Sequence, residues 1–196
     1  AADRLEQAIF LFERTLTDSE HILGSDHPHT LTSRGNLATA YEIADRLEQA
    51  IDLFERTLTD SEHILGPNHP HTLTSRGNLA NTYWSAGRRD EAIDLYEQNL
   101  ADRERFLGPD HSCTLTSRDD LAYAYQSAGR LDKAVPLFEQ ILADRERRLG
   151  SDHTSTRLFR KKLADAYRTV GRDEDAEALL APPSASDGEK AGRPED

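Results

Sequence analysis

The chain has 196 residues, of which 31% are charged and 36% are hydrophobic, and its formal net charge is −12. An acidic balance of this size argues against a ligand recognised through phosphate groups, so we expect neither nucleic acid nor an anionic membrane as a partner. The single cysteine, Cys113, excludes an internal disulfide, and no apolar run is long enough to span a membrane or resembles a signal peptide. A cytoplasmic location is therefore expected.

Taken in chain order, the predicted elements are one unpaired helix over about 4–23, followed by helix pairs over about 28–65, 70–107, 112–149 and 154–181. Pro28 and Pro70 suit the first position of a helix, because the N–H that proline lacks is not needed there. Apolar residues at three- and four-residue spacing give each helix one buried stripe. Residues 182–196 are rich in Ser, Gly, Pro and charge without apolar periodicity, and we expect a disordered tail there.

These pairs arise from a unit of 42 residues that recurs along the sequence, and residues 3–42 match residues 45–84 at 34 of 40 positions. The same step separates the members of four ladders, which are Gly24, Gly66, Gly108 and Gly150; His27, His69, His111 and His153; Arg34, Arg76, Arg118 and Arg160; and Tyr41, Tyr83, Tyr125 and Tyr167. A fixed period of this length indicates stacked units, none of which buries its apolar face alone. Because the chain lacks methionine and begins within a unit, we expect it to be part of a longer protein.

The first helix of each pair is expected to end at a residue that can adopt a left-handed backbone. Gly87 occupies this place in the second full repeat, where glycine serves as a helix cap at no steric cost. Asp45 occupies it in the first full repeat. The cap at Asp45 is therefore expected to be less favourable.

The segment Leu37-Ala38-x-x-Tyr41, followed by Ala50 and Phe54, resembles the signature of the tetratricopeptide family. The third pair repeats this signature with Leu121, Ala122, Tyr125, Gly129, Ala134 and Phe138. The 42-residue length and the Leu-Gly-x-Asp-His-Pro connector are similar to the subclass found in kinesin light chains, and similar arrays occur at the C-terminal ends of bacterial STAND-type signalling ATPases. The resemblance implies an all-α fold, a right-handed superhelical solenoid of antiparallel helix pairs. It also implies a protein- or peptide-binding role without catalysis and without a cofactor.

The histidine ladder raises the question of a metal site, because imidazole is a common zinc ligand. Packed helices lie about 8–10 Å apart, so a ladder with one histidine per repeat cannot share an ion. We expect no metal, and a capping or packing role for these histidines in the connectors. No Ser–His–Asp set, phosphate-binding glycine loop or Cys–His pair is suggested either, and we expect no enzymatic activity.

The arginine ladder recurs together with two ladders of carboxylates. These are Glu13, Glu55, Glu97 and Glu139, and Asp18, Asp60, Asp102 and Asp144. A guanidinium at a seam between helices needs a carboxylate partner, so we expect structural ion pairs between arginines and carboxylates. Ligand binding by the arginines is the alternative.

Positions at which the repeats differ, while the scaffold stays the same, are the candidates for a binding site. By resemblance to the family, the inner groove is lined by first-helix residues, and the candidates are Asn36, Asn78, Asn81, Trp84, Asp119, Asp120, Tyr123, Lys161, Lys162 and Arg168. Asparagine can bond both the N–H and the C=O of an extended peptide, which suits Asn36 and Asn78 to hold one. The alternative is that these residues only solvate a concave face.

The predicted function is a non-enzymatic scaffold that binds an extended peptide or partner segment in this groove. One alternative is end-to-end self-association into homo-oligomers through the unpaired first helix, with Leu5, Ile9 and Phe10 as candidates, because the open end of a repeat array exposes apolar surface. Another alternative is a sensor array within a larger signalling ATPase.

Overall fold

The computed structural model describes residues 2–181, and these form nine helices and no strand. The helices are α1 (Ala2–Leu23), α2 (Pro28–Ile43), α3 (Leu47–Ile64), α4 (Pro70–Ser85), α5 (Arg89–Phe106), α6 (Ser112–Ser127), α7 (Leu131–Leu149), α8 (Thr154–Thr169) and α9 (Asp173–Leu180). The predicted all-α fold is confirmed. The tail predicted over residues 182–196 lies outside the described residues.

The chain divides into two compact units, Ala1–Gly129 and Arg130–Asp196. In the first unit each helix packs on the next from α1 to α6, and in the second unit α7 packs on α8 and α8 on α9. A second helix inside the first unit, such as α3 or α5, therefore contacts one first helix before it and another after it. The predicted single array over residues 1–181 spans both units, and its continuity stays a prediction.

Alanine at the helix crossings lets neighbouring helices approach closely. In the first unit, Ala38 and Ala80 on first helices and Ala50 and Ala92 on second helices are completely buried. Larger side chains fill the space beside them, and Phe54 keeps only 1% of its surface exposed. Burial of such a side chain stabilises the fold by roughly 1.5–3 kcal/mol, so the stripes shared between neighbours hold the repeats together. No described helix is both long and apolar enough to cross a membrane.

The first helix of each pair, namely α2, α4, α6 and α8, is capped at its start by a histidine. The Nδ1 atoms of His27, His69, His111 and His153 accept a hydrogen bond from the backbone N–H two residues further on, at 3.2–3.3 Å. Each bond satisfies one of the N–H groups that a helix start leaves unpaired, which confirms the predicted capping role. Within residues 2–181, no group of three or more His, Cys, Asp and Glu side chains is arranged to hold a metal ion.

Among the described residues, Asp45 is the only one other than glycine with a left-handed backbone. Its φ is 58°, and the corresponding residues of the later repeats, Gly87, Gly129 and Gly171, have φ of 78°, 73° and 76°. A side chain in this conformation costs roughly 1–2 kcal/mol, and aspartate tolerates it better than most residues. The less favourable cap predicted at Asp45 thus has a structural basis.

Asp45→Gly is expected to raise the free energy of unfolding by about 0.5–1 kcal/mol, because the relieved strain exceeds the added entropy of glycine in the unfolded chain. Urea unfolding followed by circular dichroism measures this change. The matched control is Gly87→Asp, which makes the reverse exchange one repeat later and is expected to destabilise by a similar amount. A lower stability of Asp45→Gly would contradict the account of this turn.

Candidate functional site

A ladder of buried arginines joins the helices of the first unit. Arg34 donates through Nη1 to Asp60 Oδ2 at 2.5 Å and through Nη2 to Glu20 Oε1 at 3.5 Å. The next repeat places the same bonds between Arg76 and the carboxylates of Asp102 and Glu62, at 2.5 and 2.9 Å. Arg34 and Arg76 are 1% and 5% exposed, so each connects the preceding second helix to the following one from within the seam. The ion pairs predicted for the arginine ladder are confirmed here.

The glutamate ladder has a different partner from the predicted one. Hydroxyl groups of the tyrosine ladder donate to it, and the pairs are Tyr41 with Glu13 (2.7 Å), Tyr83 with Glu55 (2.5 Å), Tyr125 with Glu97, and Tyr167 with Glu139 (2.8 Å). The expected pairing of these glutamates with the arginine ladder was wrong, because the arginines reach the glutamates two helical turns further along. Asp18 also departs from the prediction, since its partner is Arg14 on the same helix.

The tyrosine–glutamate pairs predict a loss of stability at alkaline pH. Burial first, and then the hydrogen bond to Glu55, raises the pKa of Tyr83 from 10.0 to about 12. The unfolded chain loses this proton near pH 10 while the folded chain keeps it, so stability falls as the pH rises from about 10 to about 12. Thermal melts across this range should show a shallower decline for Tyr83→Phe than for the wild type. An equal decline in both would contradict the assignment.

Most of the predicted groove residues lie on the first-helix faces of the first unit. Asn36, Asn81, Asp119 and Tyr123 are exposed, and Asn78, Trp84 and Asp120 are half-buried. The rings of Trp84 on α4 and Tyr123 on α6 meet edge to face, with centroids 6.1 Å apart and planes inclined by 63°. The structure brings four candidates, Asn81, Trp84, Asp120 and Tyr123, into one cleft, and Asn36, Asn78 and Asp119 do not line it.

The cleft lies between α4, α5 and α6 and has a volume of about 250 Å³. Its lining residues are Asn81, Trp84, Ser85, Tyr96, Asp120, Tyr123 and Ala124. Tyr96 is 5% exposed, and its hydroxyl donates to Asn81 Oδ1 at 2.6 Å, which fixes the amide of Asn81 at the wall. Three aromatic rings, the Asn81 amide, the Ser85 hydroxyl and one carboxylate thus surround the space, which suits it to bind a side chain with both apolar and polar parts.

Two carboxylates beside this cleft are partly withdrawn from water. Burial raises the pKa of Asp120, and the charge of Asp119 raises it further while Arg103 acts in the opposite direction. Burial also raises the pKa of Glu42 on α2, although the neighbouring hydroxyl groups of Thr82 and Ser85 on α4 lower it. Burial, and then the charges of Asp120 and Glu42, raise the pKa of Tyr96, so its hydroxyl stays protonated and neutral. The negative charge of the cleft is that of the Asp120 carboxylate.

Sequence reasoning missed Tyr96, which joins the cleft from a second helix. Tyr96 stands where the other repeats have Phe54 and Phe138, both almost completely buried. A hydroxyl placed at a core phenylalanine position needs a hydrogen-bond partner. The exchange of phenylalanine for tyrosine in this one repeat is the signal that could have identified it.

Arg103 was also missed, and it holds the two first helices that carry the cleft. It replaces Ser61 of the previous repeat and is 8% exposed. Its Nη1 donates to Ser117 Oγ at 2.8 Å and to the Cys113 carbonyl at 3.0 Å on α6, and its Nη2 donates to the Leu73 carbonyl at 3.1 Å on α4. One guanidinium therefore fixes the spacing of α4 and α6, on which the distance between Trp84 and Tyr123 depends.

The basic candidates belong to the second unit, where they lie on α8. Lys161 is exposed. Lys162 is half-buried, and its Nζ lies 4.6 Å from the ring centroid of Phe138 and 5.6 Å from that of Phe159. Arg168 donates to Asp165 Oδ1 at 2.8 Å along the same helix. Lys162 and Arg168 thus have partners within their own unit.

The self-association candidates on α1 differ in their surroundings. Phe10 and Leu11 are 63% and 59% exposed and line a shallow, mainly apolar depression, and Leu5 is half-buried. Ile9 is only 2% exposed, because the apolar stripe of α1 packs on α2. Ile9 therefore cannot contact a second copy, and its assignment to this surface was wrong. Phe10 and Leu11 form the exposed apolar patch instead.

Stacked helix pairs whose residues vary from repeat to repeat on one helix face are typical of one class of protein, the helical repeat scaffolds that bind other proteins. A family model described as tetratricopeptide repeat matches residues 1–63, 44–101, 86–147 and 120–181. The chain belongs to the tetratricopeptide repeat family, which confirms the resemblance noted in its sequence.

Solved structures support this assignment. A putative kinesin light chain from Podosopora anserina with nearly identical TPR-like repeats is 33% identical, with a TM-score of 0.78 over 91% of this chain and 85% of that one. BtubC (BKLC) from P. vanneervenii has the same fold, with a TM-score of 0.76 at 21% identity over 90% of this chain and 70% of that one. A Rap protein complexed with competence and sporulation factor also shares the fold, with a TM-score of 0.62 at 13% identity over 89% and 57%. A search of curated proteins finds no match.

Proposed function

We propose that the chain is a non-enzymatic scaffold that binds an extended segment of a partner protein along the first-helix faces of its first unit. The observation that carries this proposal is the cleft walled by Trp84 and Tyr123. Tyr123 is exposed and Trp84 is half-buried, and aromatic side chains left in contact with water favour a binding role because they contribute large contact areas at interfaces.

The distribution of repeat differences supports the same face. Residues 3–42 and 45–84 differ at six positions, since 34 of 40 match, and three of these are Asn81, Thr82 and Trp84 on α4. Asn81 is exposed and Trp84 half-buried, so packing of the helices does not require these two changes, whereas Thr82 is buried. Their clustering beside the cleft therefore favours a ligand. The net charge of −12 disfavours partners rich in phosphate, so the ligand is a protein segment and neither nucleic acid nor a membrane.

Selection from a random peptide library with the purified chain tests the proposal. Selected peptides are expected to share a motif and to bind Tyr123→Asn more weakly than the wild type, as measured by calorimetry. Tyr123→Asn is a suitable variant because the preceding repeat has Asn81 at this position, so the fold accepts it. Asp94→Asn, which alters an exposed residue of α5 outside the cleft, is the control. Failure to recover peptides, or equal affinities of all three proteins, would contradict the proposal.

Self-association is a second candidate, favoured by the exposed patch of Phe10 and Leu11. Phe10 stands where the following repeats have the exposed residues Asp52 and Asp94, so its exposure is not required by the fold. Phe10→Asp is expected to weaken any concentration-dependent assembly by roughly 1.5–3 kcal/mol per contact, through lost aromatic burial. Light scattering over a concentration series measures the assembly. If the mutant assembles like the wild type, the patch on α1 is not the contact.

A further inference from the structure

We propose that the cleft between α4, α5 and α6 binds a lysine or arginine side chain of the partner segment, with Asp120 as its counter-ion and Trp84 and Tyr123 as its walls. This inference rests on the proposed function, because the cation belongs to the segment bound along the first-helix faces. It adds the chemical class of the residue that is recognised.

The negative charge of the cleft favours a cation. Asp120 is the only charged residue among the seven that line the space. Within residues 2–181, it forms no hydrogen bond and no ion pair. The nearby Arg103 gives its hydrogen bonds to α4 and α6 instead. A half-buried carboxylate without a partner is unfavourable, and a cation that enters the cleft would supply the missing partner.

The aromatic walls of the cleft also favour a cation. The face of an indole or phenol ring attracts cations, and indole does so most strongly. Trp84 already takes part in such a contact, since the guanidinium carbon of Arg89 lies 5.4 Å from its ring centroid. Arg89 is exposed and does not line the cleft, so the interior of the cleft stays available to a second cation.

The last repeat provides a comparison within the same chain. Lys162 stands at the position of Asp120, and Phe138 stands at that of Tyr96. In the second unit the Lys162 ammonium lies 4.6 Å from the ring centroid of Phe138, so there the chain places its own cation on this ring. In the first unit the same position carries a carboxylate beside Tyr96. Tyr96 offers the same kind of ring, and because Asp120 cannot supply a cation beside it, the cation has to come from the partner segment.

Other side chains fit the cleft less well. An apolar residue would cover Asp120 without pairing it, and an acidic residue would be repelled by Asp120 and by the neighbouring Asp119. Arginine combines a flat guanidinium for the rings with hydrogen bonds for a carboxylate, and lysine offers a compact charge. The preceding repeat has the neutral Asn78 at the position of Asp120, so the preference for a cation belongs to this cleft alone in the first unit.

Trp84 is the only tryptophan of the chain, so its indole N–H resonance reports directly on this cleft. We would titrate the protein with capped arginine, lysine, leucine and glutamate (Nα-acetyl methylamides) and follow this resonance. Arginine and lysine are expected to shift it in a saturable way, and leucine and glutamate are not. Asp120→Asn, which restores the residue of the preceding repeat, is expected to weaken arginine binding by about tenfold. Asp94→Asn, with the same change of net charge, is expected to have no effect.

The pH dependence of the same titration gives a second readout. Burial raises the pKa of Asp120, and the groups that face it are Asp119 on its own helix and Arg103 and Tyr96 on α5. Arginine binding by the wild type is expected to weaken as the pH falls from 7 towards the raised pKa of Asp120. Binding by Asp120→Asn is expected to stay constant over this range.

Three results would overturn the inference: no shift with arginine or lysine, equal shifts with leucine, or equal affinities of Asp120→Asn and Asp94→Asn. Failure of the inference can be told apart from failure of the proposed function. Selected peptides that need Tyr123 but bind Asp120→Asn normally would leave the proposed function in place and remove the cation site. Peptides that ignore both residues would remove the proposed function.

Discussion

Arg76→Ala is expected to lower the free energy of unfolding of the chain by about 2–4 kcal/mol. Arg76 is 5% exposed and donates to Asp102 at 2.5 Å and to Glu62 at 2.9 Å, on the two second helices that flank α4. Alanine removes both bonds and leaves a cavity at the seam. The side chains of Glu62 and Asp102 keep 41% and 32% of their surface in water. Leaving these carboxylates unpaired therefore lowers the free energy of unfolding less than it would in a fully buried ion pair.

Urea unfolding followed by circular dichroism measures this effect, and Arg14→Ala is the matched control. Arg14 carries the same group, but its side chain is 72% exposed and its nitrogen lies 3.9 Å from Asp18. An exposed pair of this kind contributes about 0–1 kcal/mol. If Arg76→Ala and Arg14→Ala lost similar amounts of stability, the arginine ladder would not be what joins the repeats.

Trp84→Gln is expected to weaken the binding of a selected peptide by about 30-fold, because aromatic residues at the centre of an interface often contribute 2 kcal/mol or more. Glutamine is the residue of the following repeat, Gln126, so the scaffold accepts it. Calorimetric titration of the variant and the wild type with the same peptide gives the ratio of dissociation constants.

Lys161→Ala is the comparison for Trp84→Gln, because Lys161 is an exposed candidate from the second unit. Exposed charges contribute about 0.2–1 kcal/mol and are screened by salt, so any loss should be small and should vanish at high ionic strength. If Lys161→Ala weakened binding as much as Trp84→Gln, the aromatic cleft would not be the main contact.

The helices could be predicted because each one has a local signal in every repeat. The period aligns buried positions such as Ala50 and Phe54 with their counterparts, and the histidine before each first helix marks its start. Even the unusual backbone at Asp45 followed from comparison with Gly87. These features depend on residues close together in the chain, and a sequence pattern reports such features well.

Contacts between helices were predicted less well, because they depend on the reach and direction of side chains. The arginine ladder was assigned to the seam, but whether Arg34 meets Glu13 or Glu20 depends on how α1 and α2 are aligned along each other. Ile9 was assigned to an open end, although a terminal helix still buries one face on its single neighbour.

The cleft could be predicted only in part for the same reason, because it depends on contacts between helices. Trp84, Asp120 and Tyr123 were candidates because the repeats differ there, but their convergence required the structure. Tyr96 was not a candidate, since its position is a core position in the neighbouring repeats. Comparison of repeats therefore identifies the residues free to change, and the packing of α5 between α4 and α6 decides which of them meet.

Cross-linking from a bound peptide tests the central claim most directly. A library-selected peptide that carries a photoreactive benzophenone would be irradiated with the chain, and the cross-linked residues would be mapped by mass spectrometry. We expect cross-links within Pro70–Ser85 and Ser112–Ser127, the two helices that carry Trp84 and Tyr123. Cross-links confined to the second helices, or to the patch around Phe10, would contradict binding on the first-helix faces.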